Sequence, residues 1–198
     1  MTCVIKEATF LTSSPSIKQT PPPTVTEVVF VGRSNVGKSS LLNTLTERKS
    51  LAKSSSTPGK TRLINFFDLK VGMNGNDYSL RFVDLPGFGY AKVSKTMKEE
   101  WEETLTEFLL NRDSIRLFIR LIDARHEDLA NDVEVAKFLE SIKRPDQKVL
   151  DVYTKIDKLK QNDLAKLRNR HPEALFVSNL KKRGVDKLRN TICESLFL

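Results

Sequence analysis

The residues with the plainest chemistry lie just after an apolar stretch near position 30. Residues 32–39, Gly-Arg-Ser-Asn-Val-Gly-Lys-Ser, match Gly-x-x-x-x-Gly-Lys-Ser/Thr at every fixed position, between a predicted strand and a predicted helix. The glycines let successive backbone N–H groups curl round a β-phosphate at a helix N-terminus. Lys38 would then reach the β- and γ-phosphate oxygens, and the Ser39 hydroxyl would ligate Mg²⁺. The alternative is a glycine-containing turn that binds nothing.

An acidic turn follows the predicted strand 80–83. Its sequence is Asp84-Leu85-Pro86-Gly87. A carboxylate in this place can hold magnesium through water, and the glycine N–H can sense a γ-phosphate. Taken alone, Asp-x-Pro-Gly is more often an ordinary turn. A role in binding magnesium and phosphate is therefore predicted only because residues 32–39 match a phosphate-binding loop.

A third motif concerns the base. Thr154-Lys155-Ile156-Asp157 follows a predicted strand, at the edge where α/β sheets bind ligands. The Asp157 carboxylate could accept from guanine N1–H and the 2-amino group together, which adenine cannot match, while Lys155 lays its aliphatic stem over the base. Ser178, after the last predicted strand, would offer its backbone N–H to the guanine carbonyl oxygen. A loop ion pair is the alternative explanation of Thr-Lys-x-Asp.

The elements that must position these motifs alternate along the chain. Apolar runs of strand length are separated by stretches with a helical period, which predicts a mixed, mostly parallel α/β sheet flanked by helices. Asn74-Gly75 favours a tight turn, so strands 63–71 and 78–84 should form an antiparallel hairpin inside the sheet. The predicted strands are 28–31, 63–69, 80–83, 117–122, 149–153 and 175–177, and the predicted helices are 39–47, 96–110, 131–142, 162–170 and 185–196.

The N-terminal residues 1–26 predict an edge strand at 8–11 and an extended Pro-rich connector, packed on the same domain as residues 27–198. Cys3 and Cys193 lie near opposite ends and indicate neither a zinc site nor a disulfide framework, which fits a reducing compartment. Asp151 interrupts the strand 149–153, and a buried carboxylate there needs a partner that the sequence does not identify.

The charge balance favours a polyanionic partner. The 33 Lys and Arg against 25 Asp and Glu give a net charge of +8, although a merely basic soluble protein is the alternative. No apolar run reaches the roughly 20 residues that span a bilayer, and no signal-peptide pattern begins the chain. We therefore expect a cytoplasmic protein without a membrane span.

Together these motifs resemble those of the TRAFAC-class GTPases and, within them, the EngB (YihA/YsxC) family of bacterial ribosome-biogenesis GTPases. The similarity covers nearly the whole chain, and beyond these motifs it includes residues 10–14, 21–23, 58–61 (Pro-Gly-Lys-Thr), 84–93, 123–126 (Asp-Ala-Arg-His) and 176–178 (Phe-Val-Ser). It implies a Ras-like P-loop GTPase domain with an extra antiparallel N-terminal edge strand. It further implies GTP hydrolysis and a role in assembling the large ribosomal subunit.

The candidate site residues come from the motifs and the resemblance together. The resemblance assigns Thr61 to Mg²⁺ beside Ser39 and places Ser178 in the fifth guanine-nucleotide motif. Catalytic roles are expected for Lys38, Thr61 and Asn35. Nucleotide contacts are expected from Gly32, Arg33, Ser34, Asn35, Val36, Gly37, Lys38, Ser39, Ser40, Gly59, Lys60, Thr61, Arg62, Leu63, Asp84, Leu85, Pro86, Gly87, Thr154, Lys155, Ile156, Asp157, Phe176, Val177 and Ser178.

The group that orients the attacking water is not evident. Phe88 stands where Ras-like enzymes carry glutamine, and a phenyl ring cannot hydrogen-bond water. Unassisted turnover should therefore be slow, at about 10⁻⁴ to 10⁻² per second. The resemblance also suggests that the Asn35 side chain helps to coordinate K⁺ as an activating cation. The alternative is that Asn35 only hydrogen-bonds within its own loop.

Two segments, 54–61 and 87–95, are rich in glycine, small polar residues and charge. They are the candidates for switch segments, which the γ-phosphate would order and its loss would release. Ribosomal RNA contact by the basic side chains is one interpretation, and a solvated charged face is the other. The basic residues concerned are Lys53, Lys60, Arg62, Lys92, Lys95, Lys98, Lys181, Lys182, Arg183, Lys187 and Arg189. The expected partners are GTP or GDP and a precursor of the large ribosomal subunit, comprising rRNA and ribosomal proteins, with the chain a monomer.

Two other functions stay open. A P-loop metabolic kinase or ATPase accounts for residues 32–39 but gives no task to Thr61 or Asp157. A regulatory module that works mainly by binding nucleotide is the second alternative, although no lipidation signal or amphipathic anchor favours a membrane-associated form. Preference for GTP over ATP would separate the kinase from the GTPase.

Overall fold

The computed structural model describes residues 2–52, 63–87, 95–126 and 129–198, with the side chains of the helix that begins at Lys95 described from residue 103 onward. Seven strands of these residues form one mixed sheet in the order β1-β3-β4-β2-β5-β6-β7. Pairs β1·β3 and β3·β4 are antiparallel, and the remaining pairs are parallel. The strands are β1 Val4–Ser14, β2 Thr26–Gly32, β3 Ile64–Met73, β4 Asn76–Asp84, β5 Ile115–Asp123, β6 Lys148–Thr154 and β7 Leu175–Phe176.

Five α-helices lie against this sheet in the described part of the chain, each close to its predicted position. Short 3₁₀ turns cover Ile17–Gln19, within the connector, and Ile156–Lys158, after β6. No helix of the described residues is long and apolar enough to span a bilayer. The helices are α1 Lys38–Leu45, α2 Lys95–Asn111, α3 Ala130–Ile142, α4 Gln161–Arg170 and α5 Val185–Phe197.

The sheet is covered on both faces, which explains why its central strands read as unbroken apolar runs. Along β2, Val28 and Phe30 pack with the apolar side chains of α1 and α5. Val29 and Val31 point to the opposite face, where they pack with α2 and α3. The α4 side chains join a third apolar cluster beneath Tyr153 and the turn after β6.

The predicted hairpin and edge strand are both present. The chain reverses between β3 and β4 at Asn74 and Gly75, whose φ angles are 55° and 81°. Two successive positive φ values are those of the tight turn that Asn-Gly favours. The edge strand β1 is longer than the predicted 8–11 and carries two register shifts against β3. Such bulges discourage further pairing at a sheet edge.

The parallel strands bring their carboxyl ends to one edge. Strands β4, β2, β5 and β6 end side by side at Asp84, Gly32, Asp123 and Thr154. The phosphate-loop, acidic and base motifs follow three of these ends, so the topology gathers motifs that are more than a hundred residues apart. Asp151, on β6, finds the partner that it needs in Arg120 on β5, which donates from Nε at 2.8 Å and from Nη2 at 2.5 Å.

A buried charge cluster at the opposite edge fastens the connector. Glu27 is fully buried and accepts hydrogen bonds from Arg112 Nε and Nη2 and from the Ser114 hydroxyl. Arg112 also donates to the Pro21 carbonyl and lies over the Phe66 and Phe108 rings. The pairing satisfies charges whose desolvation would otherwise be costly, and it explains how a segment without helical period is held in place.

The two cysteines correct a sequence expectation. Cys3 and Cys193 form a disulfide, with Cα atoms 6.4 Å apart. Both are buried, and the Cys3 N–H donates to Asn190 Oδ1 on α5 at 2.8 Å. Their separation of 190 residues gave no hint of this pairing, because it depends on an edge strand and a C-terminal helix meeting in the folded chain.

The Glu27 cluster predicts a large difference between two arginine substitutions. Arg112→Met leaves a fully buried carboxylate without its bidentate partner, so the free energy of unfolding should fall by about 3–5 kcal/mol. Arg116→Met, which removes an exposed ion pair to Asp146, should cost about 0–1 kcal/mol. Urea unfolding of both variants measures the difference, and an equal loss in the two would contradict the structural role of the cluster.

Candidate nucleotide site

The phosphate loop has the backbone shape that its motif requires. Asn35 and Gly37 have φ angles of 64° and 104°, in the left-handed region that asparagine and glycine tolerate. A Cβ on Gly32 would come within 3.0 Å of Leu121 and Val36 side-chain atoms, so the strand end admits only glycine comfortably. Helix α1 begins at Lys38, and the N–H groups of its first turn have no partner within the helix. These donors are available to an anion.

Lys38, the first residue of α1, and Asp84, the last residue of β4, are brought together because β2 and β4 are neighbours in the sheet. Lys38 Nζ donates a hydrogen bond to Asp84 Oδ1, and both side chains are about nine-tenths buried. The hydroxyl of Ser39, the next residue, has no hydrogen-bond partner among the described residues. The Ser39 hydroxyl and the Asp84 carboxylate are hard oxygen donors of the kind that Mg²⁺ takes. The donor set of the described residues therefore fits magnesium.

The acidic turn packs directly on the phosphate loop. A Cβ at Gly87 would lie 2.7 Å from the Ser34 backbone nitrogen, so only glycine allows this approach. Leu85 and Pro86 are buried and anchor the turn. Ser34 Oγ is buried without a hydrogen-bond partner among the described residues, which leaves an unsatisfied hydroxyl beside the place proposed for the phosphates.

Two residues of the third motif bind the carbonyls of the phosphate loop. The buried Thr154 hydroxyl lies 2.7 Å from the Val36 carbonyl oxygen, to which it donates. Lys155 Nζ donates to the Asn35 carbonyl oxygen and, at 2.9 Å, to Asp123 Oδ2. Lys155 has a φ of 58°, and its Cε lies 3.9 Å from where a Cβ on Gly37 would be. The lysine stem thus lies across the phosphate loop.

Asp157 and Ser178 form a pair, with a correction to the expected role of Ser178. The Ser178 hydroxyl donates to Asp157 Oδ1 at 2.6 Å and accepts from the Lys181 N–H at 3.1 Å. The Ser178 N–H, expected to meet a guanine carbonyl, instead donates to the Arg183 carbonyl oxygen at 3.0 Å. The antiparallel bridge between residues 178 and 183 takes up that donor.

A cavity of about 790 Å³ opens beside these groups. Its walls include both the first turn of α1 and the loop after β7. Of the predicted residues, Gly37, Ser40, Lys155 and Asp157 line it, together with Asn179 and Leu180. Ile156 and Phe176 instead line a separate cavity of about 400 Å³, and Val177 is fully buried.

Sequence reasoning gave no role to two groups at this site. Asn179 Nδ2 donates to the Gly37 carbonyl oxygen at 3.2 Å, and its Oδ1 is buried without a partner among the described residues. Asp123 binds Lys155 and Arg125. Burial by itself would raise the pKa of Asp123, but the hydrogen bonds from Arg125 and Lys155 outweigh it and hold that pKa well below its usual range. The sequence signal for Asp123 was an acidic residue at the end of a predicted parallel strand, because ligands bind at that edge of an α/β sheet.

Arg33 points away from the cavity lining, toward α3. Its Nε lies 3.3 Å from Asp132 Oδ2. Burial raises the pKa of the Asp132 carboxyl, despite the nearby charges of Arg33 and Arg120. Leu63 is half-buried just before β3. The predictions for Gly59, Lys60, Thr61, Arg62 and Phe88 fall outside the described residues.

The chain is similar in sequence to known GTP-binding proteins. Residues 27–155 match a family model described as "50S ribosome-binding GTPase". The chain is 52% identical to "Probable GTP-binding protein EngB" of Aliarcobacter butzleri and 55% identical to that of Campylobacter lari, over 98% of each chain.

Solved structures show the same fold. A crystal structure of a probable GTP-binding protein EngB superposes with a TM-score of 0.61, 24% identity and coverage of 85% of this chain and 97% of that one. Era, in complex with MgGDPNP and nucleotides 1506–1542 of 16S ribosomal RNA, gives a TM-score of 0.63 at 30% identity, over 86% of this chain and 56% of Era. With its P-loop GTPase fold and more than 50% identity to EngB proteins over nearly the whole chain, the chain belongs to the EngB family of GTP-binding proteins.

Proposed function

We propose that the chain binds GTP and Mg²⁺ at the carboxyl edge of the sheet, hydrolyses GTP to GDP and phosphate, and uses the change to bind and release a precursor of the large ribosomal subunit. One observation carries the nucleotide part. Side chains from the base motifs hydrogen-bond three successive carbonyls of the phosphate loop, those of Asn35, Val36 and Gly37. The loop that would bind the phosphates is thus hydrogen-bonded to the segments that would contact the base, residues 154–157 and 178–179.

Guanine selectivity follows from the carboxylate of Asp157. Ser178 occupies one lone-pair direction of Oδ1 and fixes the plane of the carboxylate, which can still accept from guanine N1–H and the 2-amino group. Adenine has no donor at N1 and no 2-amino group. Because the Ser178 N–H is engaged, we assign the guanine carbonyl oxygen to the neighbouring Asn179 N–H, which has no hydrogen-bond partner among the described residues.

Hydrolysis requires neutralisation of the phosphate charge and an oriented water. Mg²⁺ would be held by Ser39 and Thr61, with Asp84 acting through water, and when bound it supplies positive charge that stabilises the charge developing on the phosphates. Lys38, which pairs with Asp84 in the structure, would turn its ammonium toward the β- and γ-phosphate oxygens. The Gly87 N–H would donate to the γ-phosphate from its position against the phosphate loop.

A metabolic kinase or ATPase fits the geometry less well. It needs the phosphate loop but has no use for a carboxylate held by Ser178 at the rim of the cavity. A module that only binds nucleotide keeps the same site and differs in turnover alone. Single-turnover release of phosphate from GTP separates hydrolysis from binding.

The ribosomal partner is supported by chemistry outside the nucleotide site. Arg168, Arg183 and Lys187 line the 400 Å³ cavity, and no acidic residue shares its lining. These cations have no ion-pair partner among the described residues, and Arg168 lies over the Phe176 ring at 5.6 Å. A concave basic site with an oriented guanidinium suits RNA phosphates and bases. The names of the matching family model and of the Era complex agree with an RNA-containing partner.

The cavity is linked to the proposed base-contacting residues through Arg183, whose carbonyl oxygen accepts a hydrogen bond from the Ser178 N–H. This gives a physical route by which RNA contact and nucleotide state could affect one another. Arg189, another basic residue considered for RNA contact, is instead occupied: it pairs with Glu47 and donates to the Leu45 carbonyl. We further propose that the chain acts as a cytoplasmic monomer.

Asp157→Asn tests the assignment of base specificity. The amide can donate to the 2-oxo group of xanthine, whereas the carboxylate accepts from the guanine amino group. GTP should bind more weakly and xanthosine triphosphate more tightly than in the wild type, by about tenfold or more each if a bidentate contact is exchanged. Nucleotide titration measures both, and equal GTP affinity in the two proteins rules out this role for Asp157.

Charge reversal at Arg168, Arg183 and Lys187 tests the basic cavity. The triple Glu variant should lose co-sedimentation with large ribosomal subunits in the presence of a GTP analogue, and the salt dependence of binding should flatten by about three units of slope. A control with Glu at the exposed Lys18, Lys70 and Lys137 carries the same change in charge elsewhere. Indistinguishable binding by the two variants would remove the cavity from the interface.

The Asn35 side chain makes no hydrogen bond to its own loop in the described structure, which leaves it available for a cation. If K⁺ acts between the phosphates in the transition state, single-turnover hydrolysis should be faster in KCl than in NaCl at equal ionic strength, and Asn35→Ala should lose the difference. An arginine finger in the same place can be worth about 10³ to 10⁵ in rate, so even a partial substitute should be measurable. No advantage of K⁺ in the wild type, free and ribosome-bound, would exclude the mechanism.

A further inference from the structure

Asp123 lies between the phosphate loop and the base-reading segment. It ends β5, whose neighbours in the sheet are β2, which leads into the phosphate loop, and β6, which leads into the base motif. Its side chain is only 4% exposed. A carboxylate so buried needs paired charges and hydrogen bonds.

Two cations satisfy Asp123. Arg125 donates from Nε to Oδ1 at 3.0 Å and from Nη2 to Oδ2 at 2.8 Å, and its backbone N–H adds a contact to Oδ1 at 3.1 Å. Lys155 Nζ donates to Oδ2 at 2.9 Å. The arginine fork fixes the plane of the carboxylate, so that one oxygen faces the lysine.

Lys155 depends on this acceptor for its position. Its ammonium is shared by Asp123 and the Asn35 carbonyl, and its backbone is in the left-handed region with a φ of 58°. A flexible lysine stem loses much rotamer freedom when its end is fixed. With both acceptors present, the stem lies over Gly37 at the wall of the 790 Å³ cavity.

We infer that Asp123 is a positioning residue for nucleotide binding: it holds the Lys155 ammonium so that the lysine stem forms a preformed wall for the guanine ring. The inference rests on the proposed guanine site. Asp123 touches neither base nor phosphate, and it acts through Lys155, while Arg125 holds Asp123 in turn. Loss of Asp123 should therefore affect ligands that carry a base and spare those that consist of phosphate alone.

Two ligands separate this role from general destabilisation. GDP needs both the phosphate loop and the lysine wall, whereas inorganic pyrophosphate needs only the phosphate loop. In Asp123→Asn, GDP should dissociate about 10- to 100-fold faster, as expected for the loss of a hydrogen bond between charged groups. Pyrophosphate affinity should stay within about threefold of the wild type, because pyrophosphate needs only the phosphate loop and distant substitutions have small effects.

Asp151→Asn is a matched control. Asp151 also accepts a bidentate arginine, Arg120, one strand further along the sheet, but it does not contact Lys155. This variant should release GDP at the wild-type rate. Lys155→Met should accelerate release as Asp123→Asn does, and the double variant should be no faster than either single one, because both remove the same positioned stem.

The outcomes are distinguishable. Faster GDP release with unchanged pyrophosphate binding supports the inference, whereas equal losses for both ligands, or release at the wild-type rate, overturn it. If Asp123→Asn does not fold, Arg125→Gln decides: it retains the Asp123–Lys155 contact but loosens the carboxylate, so GDP release should still exceed the wild-type rate, and an unchanged rate overturns the inference. Failure of the wild type to bind GDP would instead refute the proposed function.

Discussion

The site depends on how the carbonyl groups of one short loop are satisfied. A loop that turns its N–H groups inward to bind phosphate leaves carbonyls facing outward, and these need donors. Here the donors are the Thr154 hydroxyl, the Lys155 ammonium and the Asn179 amide, which bind the carbonyls of Val36, Asn35 and Gly37. The residues that satisfy the loop therefore lie within, or next to, the segments proposed to contact the base.

In the proposed function, this arrangement would make recognition of the base and of the phosphates parts of one structure. Asp157 is held by Ser178, Ser178 is held through its N–H by Arg183, and Lys155 is held by Asp123. Most of the side chains that would contact guanine are thus fixed before it binds, which lowers the entropic cost of binding. The Lys38–Asp84 pair is the part that the proposed binding of phosphates and Mg²⁺ would rearrange.

The sequence predicted the elements well because their signals are local. Apolar runs located the strands, Asn74-Gly75 located the hairpin, and the fixed positions of residues 32–39 located the phosphate loop. Contacts between distant segments were harder. Neither the Cys3–Cys193 disulfide nor the engagement of the Ser178 N–H has a local pattern, since each depends on where the ends of separate elements meet.

Asp151 and Asp123 illustrate the difference within the site. An acidic residue in an apolar strand signalled that a partner was needed for Asp151, but only the register of β5 against β6 identifies Arg120. Asp123 stood in a recognised motif without a role, because the lysine that it holds is 32 residues away along the chain. Sequence motifs thus predicted the groups that would face the ligand, and the structure was needed to identify the residues that hold them.

The most direct test of a preformed guanine site is the ratio of GDP to ADP affinity in the nucleotide-free wild-type protein at fixed Mg²⁺. A site built from fixed hydrogen-bonding groups rejects a ligand that leaves them unpaired by about 10⁴ or more. Isothermal titration should therefore show GDP binding at least about a thousandfold more tightly than ADP. Affinities within about tenfold of each other, a difference near 1.4 kcal/mol, would contradict the claim that the loops around Asp157 and Lys155 read the base.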